Sequence, residues 1–227
     1  MPRPPADPPL SAGWAPRLPR GRTSAWRATT GAEKGEYCPI LYRTDVLRLL
    51  YTETKWLSPT PDSVLFGWGA GSRRVVTIGV FEVTGSWERF IHANTHLDNA
   101  SALARTEGAK VVLERIRAVQ EMWGPLGMVL TGDFNSSPGQ DGYKVLVDSG
   151  YMEEVFSVAD AEGKVVGTNR NTFTRFTGSG GSFIDFIWIG PKAEKPFAVQ
   201  RYEILTNVVS GMYISDHRAV IGDVLLA

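Results

Sequence analysis

Four short stretches of the sequence place polar residues suited to acid–base or metal chemistry in or next to apolar runs. These stretches are HANTHLDN at 92–99, TGDFNSSPG at 131–139, SFIDFIWIG at 182–190 and SDHRAVIGDV at 215–224. They supply His96, Asp133, Asn135, Asp185 and His217. A carboxylate can take a proton from water, an amide can steady that water, and an imidazole can stabilise developing negative charge. These residue types therefore predict a catalytic site where several strands end.

Asp133 and Asn135 follow the apolar run 128–130 and are separated by two positions. Alternation along a strand would direct both side chains into the same space. A carboxylate beside an amide suits the orientation or deprotonation of water. The same spacing also suits an Asx turn or a cap for the segment after Pro138. The residues alone leave both interpretations open.

Asp185 lies on the face of its run that also carries Phe183 and Ile187. Burial of a carboxylate without a hydrogen-bonding partner is costly, so a partner should exist. His217, directly before the last predicted strand, is the natural candidate. Such a pair would fix the imidazole tautomer and raise the pKa of the imidazole.

Zinc is an alternative use of the run at 92–99, because strand alternation points His92, His96 and Asp98 to one face. However, the chain has three histidines and one cysteine, which is too few for a structural zinc cluster. We favour a structural role for His92 and a functional role for His96.

From Gly35 onward, short β-rich runs alternate with two helical segments. The better helix covers residues 100–123, with apolar residues at helical spacing, and Gly124-Pro125 ends it. A shorter helix follows Pro138. Strands, a crossover helix and further strands predict a layered α/β sandwich with mixed sheets.

The N-terminal segment has a different composition from the rest of the chain. Residues 1–32 contain five arginines, one aspartate and seven of the 14 prolines, a net charge of +4. We predict that residues 1–34 are a disordered Pro/Arg-rich segment and that 35–227 form one domain. A transit peptide is an alternative that the prolines disfavour, because they prevent an amphipathic helix.

The motifs GEYCPILYR, NTHLDN, TGDFNSSP, IDFIW and SDHRAV, in this order, resemble those of the endonuclease/exonuclease/phosphatase family, which has the DNase-I-like fold. The resemblance covers about residues 35–224. It implies a four-layer α/β sandwich of two mixed β-sheets, with the site at one edge between them. It also implies a phosphoester or phosphodiester hydrolase that uses Mg²⁺, with Mn²⁺ as a possible substitute.

By the same resemblance, Asp133, helped by Asn135, would orient or deprotonate the attacking water, and His217, held by Asp185, would stabilise the transition state. His96 would donate to a phosphate oxygen, and the remaining implied positions are Glu36 as its support, Asp98 and Asn99 in the substrate pocket, and Asp216 facing the metal. Among the arginines, we select Arg105 and Arg175 as candidate substrate contacts; solvated surface side chains are the alternative for both.

One part of the family pattern is missing from the sequence. The family begins with a strand bearing an asparagine and a later strand ending in Gln-Glu, whose glutamate is the main magnesium ligand. Here the first asparagine is Asn94, and the only glutamate before GEYCPILYR is Glu33. The sandwich is therefore expected to be incomplete at its N-terminus, with unpaired strand edges. A truncated or non-catalytic relative that binds phosphorylated ligands is the alternative function.

Charge and hydropathy limit the partners. The formal net charge is zero and residues 33–227 carry −4, which disfavours non-specific nucleic-acid binding. We expect a phosphorylated small molecule or a phosphodiester as substrate. No apolar run approaches the ~20 residues of a membrane span, and the single cysteine cannot form an internal disulfide. We therefore expect a soluble protein, with an intracellular location favoured; the substrate and the oligomeric state stay open.

Overall fold

The computed structural model describes residues 22–25, 36–177 and 180–226. In chain order, the elements are β1 (Arg22–Ala25), β2 (Ile40–Arg43), β3 (Leu47–Trp56), β4 (Val75–Val83), β5 (Arg89–His96), α1 (Ala102–Trp123), β6 (Gly127–Asp133), α2 (Asp141–Asp148), β7 (Glu153–Glu154), α3 (Val155–Ala161), β8 (Val165–Val166), β9 (Asp185–Gly190), β10 (Phe197–Ile204), β11 (Val208–Val209), β12 (Met212–Tyr213) and β13 (Val220–Leu226).

The central element is a six-stranded sheet with the order β3-β4-β5-β6-β9-β7. Strands β5 and β6 are parallel, and the other neighbours are antiparallel. Helix α1 connects the two parallel strands, as a crossover between parallel strands requires. The carboxyl ends of β5 and β6 therefore lie at the same edge of the sheet, beside the first residue of β9.

A second, three-stranded sheet has the order β13-β10-β8, with β10 antiparallel to β13 and parallel to β8. The two sheets are both mixed, as the sequence predicts. Within the described ranges β13 pairs only with β10, which is consistent with a sandwich whose second sheet is incomplete. Two-stranded pairs form between β1 and β2 and between β11 and β12.

Helix α1 covers one face of the central sheet. It begins two residues later than predicted because the Ser101 side chain caps it, accepting from Ala104 N at 3.1 Å. Its buried face packs with α2 against the strands, in a core that includes Val76, Ile78, Val80, Ile91, Ala93, Val112, Ile116, Val119, Met128, Leu130, Phe186 and Trp188. Burial of this apolar area is the main force that holds the helix to the sheet.

The opposite face of the central sheet packs against α3 and the second sheet. Ile189 of β9 lies in this second core with Val155, Val199 and Tyr202, and Ile187 packs against it. Because Phe186 and Trp188 belong to the first core, β9 alternates between two buried layers. Asp185 begins the same strand on the side of Ile187, facing the space between the sheets.

Two predictions concern the chain outside these layers. Arg22–Ala25, within the segment predicted to be disordered, forms β1 against β2, and the rest of residues 1–34 lies outside the described residues. In the described part of the chain, no helix is both long and apolar enough to cross a membrane. The longest, α1, has 22 residues but carries several charged side chains.

Candidate active site

Sheet register places three of the predicted residues in one row. His96, the last residue of β5, pairs with Asp133, the last residue of β6. Asp133 in turn pairs with Asp185, the first residue of β9. Paired residues on adjacent strands lie about 5 Å apart, so an imidazole and two carboxylates meet at one edge of the sheet.

Gly132 allows the first two strands to approach closely. Its φ is +154°, and a Cβ built at this position would lie 2.0 Å from the carbonyl oxygen of Thr95. Thr95 is its register partner on β5. A side chain at this point would separate the strand ends that carry His96 and Asp133, so the glycine of the TGD motif is required for the site geometry.

The two carboxylate oxygens of Asp133 have different neighbours. Oδ1 accepts a hydrogen bond from the backbone N–H of Asn135 at 2.8 Å, which is the Asx turn left open by the sequence. Oδ2 lies 3.3 Å from Nε2 of His96 and 3.8 Å from Nε2 of His217. Burial, reinforced by the negative charge of Asp185, raises the pKa of Asp133 to about 6. The carboxyl group is thus able to exchange a proton near neutral pH.

Asn135 reaches the site by a different route from the one predicted. Strand β6 ends at Asp133, and Asn135 has a left-handed backbone with φ +47°, which asparagine tolerates better than most residues. Its orientation therefore comes from the Asx turn and not from strand alternation. Its Nδ2 donates to the carbonyl of Leu97 at 3.0 Å and to Nε2 of His96 at 3.1 Å.

His217 forms the pair predicted with Asp185. Its Nδ1 lies 2.8 Å from Oδ2 of Asp185, and this hydrogen bond is the main reason why the pKa of His217 is raised. Phe173 packs against the imidazole with ring centroids 4.8 Å apart. The ring is thus held by a carboxylate at one nitrogen, while the other nitrogen faces Asp133.

His96 has the opposite electrostatic character. Burial, together with the positive charge of Arg74, lowers the pKa of His96 to about 4, so its ring is neutral at physiological pH. Because an amide NH₂ group only donates, Nε2 of His96 is the acceptor in its contact with Asn135. Nδ1 lies 3.5 Å from Glu36, the supporting carboxylate that the resemblance implies. Donation from His96 to a phosphate oxygen stays a prediction.

Arg74 is a site residue that the sequence analysis did not single out. Its side chain is only 4% exposed, and it forms an ion pair with Glu36 and a contact of 3.5 Å with Oδ1 of Asn99. Its Nε has no hydrogen-bond partner. This buried guanidinium places positive charge beside His96 at one end of the row formed by His96, Asp133 and Asp185. The adjacent arginines before a long apolar run were the available signal.

Asp98 organises the backbone around it, and its expected role in substrate contact stays a prediction. Its carboxylate is 2% exposed and accepts hydrogen bonds from four backbone N–H groups, those of Gly71, Ser72, Ala100 and Ser101, at 2.8–3.2 Å. Although burial opposes the charge, these donors lower the pKa of Asp98. With its acceptors occupied, the side chain connects the loop before β4 to the start of α1.

The remaining predicted residues, Arg105, Arg175 and Asp216, lie in three different surroundings. Arg105 is paired with Asp141 at 2.6 Å and donates to the carbonyl of Asp98 at 3.1 Å, so it joins the starts of α1 and α2. Arg175 is exposed and lies over Phe173 at 5.7 Å, next to His217. Asp216 accepts at its backbone carbonyl from Thr174 at 2.7 Å. A direct role for Asp216 in metal binding stays a prediction.

One group of side chains is suited to a divalent cation. Ligand atoms of Asp133, Asp185 and His217 all lie within 4.8 Å of one another. Magnesium is commonly held by one or two carboxylates together with water and substrate phosphate, so the two carboxylates fit that ion or manganese. One oxygen of each carboxylate already takes part in a hydrogen bond, so each carboxylate has one oxygen left for the ion.

Comparison with known proteins defines first the fold and then the family. In a structure from Bacteroides vulgatus described as an endonuclease/exonuclease/phosphatase, 30% of aligned residues are identical and the TM-score is 0.81; the match covers 91% of this chain and 77% of that one. The Bacteroides thetaiotaomicron mannosyl-6-phosphatase Bt3783 gives 28% identity and a TM-score of 0.80, over 91% and 78% of the two chains. The predicted DNase-I-like sandwich is therefore confirmed.

The catalytic domain of human Nocturnin shares the fold at 17% identity, with a TM-score of 0.70 and coverage of 91% and 73%. The sequence profile of the endonuclease/exonuclease/phosphatase family matches residues 41–217. The chain belongs to this family, as its motifs predict. A search of curated proteins found no match.

Proposed function

We propose that the chain is a metal-dependent hydrolase of phosphoesters or phosphodiesters. The observation that carries the proposal is the position of Asp133 Oδ2, which faces both His96 and His217 at the edge of the central sheet. A buried carboxylate with a pKa of about 6 is suited to take a proton from water near neutral pH.

The two histidines would have different tasks. His217, whose pKa is raised by its hydrogen bond to Asp185, favours the cationic form and would stabilise negative charge on the phosphoryl oxygens. His96 stays neutral and holds Asn135, whose amide would position the attacking water beside Asp133. Arg74 would add positive charge at the opposite side of the row.

Asp133 and Asp185 carry the oxygen atoms that would hold a magnesium or manganese ion, and His217, bound to Asp185, lies beside them. Such an ion, when bound, would neutralise charge on the transferred phosphoryl group. Asp216 remains our candidate for an additional ligand. The proton transfer to Asp133 and the orientation of His217 by Asp185 are the contributions of the protein itself.

The substrate we propose is a phosphorylated small molecule or a phosphodiester. Bt3783 is named as a mannosyl-6-phosphatase, which supports a phosphorylated small molecule. The charge of −4 on residues 33–227 argues against substrates that require a broad basic surface.

The test is hydrolysis of p-nitrophenyl phosphate and bis-p-nitrophenyl phosphate with magnesium or manganese. We expect Asp133→Ala and His217→Ala each to lower kcat/KM by about 100-fold or more. Asp148→Ala is the matched control, because Asp148 is an exposed acid on α2 that pairs with Lys144. Wild-type rates in either site variant would contradict the proposal.

A non-catalytic relative that binds phosphorylated ligands is the second candidate. The observation in its favour is the limited ligand set, since the metal group in the described residues has two carboxylates that both accept hydrogen bonds already. Phosphate binding that depends on His217, without turnover of either ester, would favour this candidate.

A further inference from the structure

Exposed apolar side chains line one side of the active site. Two loops contribute them: 172–177, and 205–217, which contains the β11–β12 pair. We call these side chains, together with Arg175 and the partly buried Tyr213, the apolar rim, which is therefore Arg175, Phe176, Met212, Tyr213 and Ile214. The exposed fractions of Phe176, Met212 and Ile214 are 55%, 68% and 68%. Large apolar side chains exposed together in this way are typical of a binding surface.

The two loops are fixed to each other by buried hydrogen bonds. Asn207, 2% exposed, donates to Oγ1 of Thr174 and to the carbonyl of Ser215, both at 2.8 Å. The hydroxyl and N–H of Thr174 both donate to the carbonyl of Asp216, at 3.0 and 2.7 Å. The rim is therefore attached rigidly to the segment that carries His217.

The rim is linked to the proposed phosphoryl site through Phe173. The Phe173 ring packs against the His217 ring, with centroids 4.8 Å apart. The Arg175 guanidinium lies over the same Phe173 ring, 5.7 Å from its centroid. Phe176 meets Tyr213 edge to face, with centroids 6.5 Å apart and an interplanar angle of 87°. A group attached to a phosphate at His217 would thus extend along these side chains.

The backbone gives a second reason to assign the rim a function. Arg175 and Phe176 are consecutive residues with φ +56°, a left-handed conformation that is unfavourable for side chains of this size. The hydrogen bonds of Thr174 hold them there, although the Phe176 ring remains largely exposed. Strain of this kind persists at sites that must present a particular side chain.

We propose that the apolar rim binds a planar aromatic ring carried by the substrate next to its phosphate. This inference rests on the proposed function, because it assigns to the same site a substrate class of aryl-bearing phosphoesters. The ring packs face to face on the exposed Phe176 side chain and therefore edge to face with Tyr213, and the Arg175 guanidinium contacts the phosphate.

The chemistry of the rim favours an aromatic ring over a sugar. Specific recognition of a sugar requires polar groups placed to satisfy its hydroxyls. Of the five rim residues, only Arg175 and Tyr213 have polar side-chain atoms, and the other three present hydrocarbon or thioether surface. The rim therefore contributes apolar and π contacts mainly.

Binding of phosphonates tests the inference independently of catalysis, because their P–C bond is not an ester. Calorimetry in magnesium buffer would compare 2-phenylethylphosphonate with ethylphosphonate and 2-cyclohexylethylphosphonate. We expect the phenyl compound to bind the wild type at least fivefold more tightly than either of the others. Phe176→Ala should lower affinity for the phenyl compound about fivefold and change that for ethylphosphonate less than twofold.

Trp87→Ala is the matched control. Like Phe176, Trp87 is an exposed aromatic residue with positive φ, and it has an arginine over its ring. Trp87 precedes the start of β5, whereas His96 is the last residue of that strand. The length of β5 separates its two ends by about 24 Å. This variant should keep the wild-type preference. Equal affinities of the wild type for the three phosphonates, no binding of any of them, or an unchanged preference in Phe176→Ala would overturn the inference.

The outcomes also separate this inference from the proposed function. Ring-selective binding without ester hydrolysis would support the rim and refute catalysis. Ester hydrolysis that depends on His217, without ring-selective binding, would support catalysis and refute the rim. His217→Ala should weaken ethylphosphonate and the phenyl compound alike.

Discussion

Asp133 and Asp185 are register partners across the antiparallel strands β6 and β9, which brings two carboxylates to the same edge of the sheet. Asp185 shares its charge with His217 through a hydrogen bond of 2.8 Å, whereas burial and this neighbouring charge raise the pKa of Asp133 to about 6. Two chemically identical side chains thus have different surroundings: Asp133 is a buried acid with a raised pKa, and Asp185 is the hydrogen-bond partner of His217.

Asp133→Asn should stabilise the protein at neutral pH while it removes activity. Because the folded-state pKa of about 6 lies above the unfolded value of ~3.9, wild-type stability falls as pH rises through this window. The amide avoids that cost and can still accept from Asn135 N. Urea unfolding should show a gain of about 1–3 kcal/mol at pH 7.5 and little difference near pH 4. A less stable variant at pH 7.5 would contradict the assigned electrostatics.

Asp185→Asn should move both limbs of the pH–rate profile to lower pH. The hydrogen bond and charge of Asp185 raise the pKa of His217, and its charge also contributes to the raised pKa of Asp133. Loss of that charge lowers both pKa values, and kcat should fall by about 100-fold because the imidazole is no longer oriented. The measurement is kcat/KM from pH 5 to 9, with Asp148→Asn as control. A shift of the alkaline limb alone would show that Asp185 does not act on Asp133.

The strand-end residues were predictable because their signals are local. Alternation within SFIDFIWIG places Asp185 on the face of Ile187, and a carboxylate on an apolar face requires a partner. Gly124 and Pro125 ended the predicted helix where α1 ends. The order of the motifs then gave the family, which the profile match over residues 41–217 confirms.

The missed features depend on contacts between distant segments. Arg74 approaches Glu36 across 38 positions, and nothing in the spacing of either residue indicates that pair. Asn135 seemed to follow strand alternation, but the strand stops two residues earlier and a left-handed turn sets its direction. The backbone donors that surround Asp98 come from two separate loops, so its structural role requires the folded chain.

Asp98→Asn distinguishes a structural role from substrate contact. Oδ2 of Asp98 accepts from the N–H of Ser72 at 3.0 Å, and an amide nitrogen there would oppose a second donor. We expect a loss of about 2–3 kcal/mol in the free energy of unfolding, typical of lost charged hydrogen bonds in a buried site. Asp62→Asn, at an exposed side chain, should change stability by less than about 0.5 kcal/mol. An increased KM with unchanged stability would instead support direct contact with substrate.

Gly132→Ala should disrupt the site by separating the ends of β5 and β6. The added methyl group would lie 2.0 Å from the Thr95 carbonyl oxygen, within a backbone that cannot move without breaking the ladder on which His96 and Asp133 pair. Gly163→Ala is the control, because Gly163 has φ +67° with no atom near the added carbon and so reports backbone strain alone. Strain should cost about 1–2 kcal/mol, and the clash at position 132 should bring the loss there to about 3 kcal/mol or more. Urea unfolding and phosphonate affinity would be measured for both variants. Equal stability losses in the two variants, with binding retained, would show that close approach at Gly132 is not what aligns His96 with Asp133.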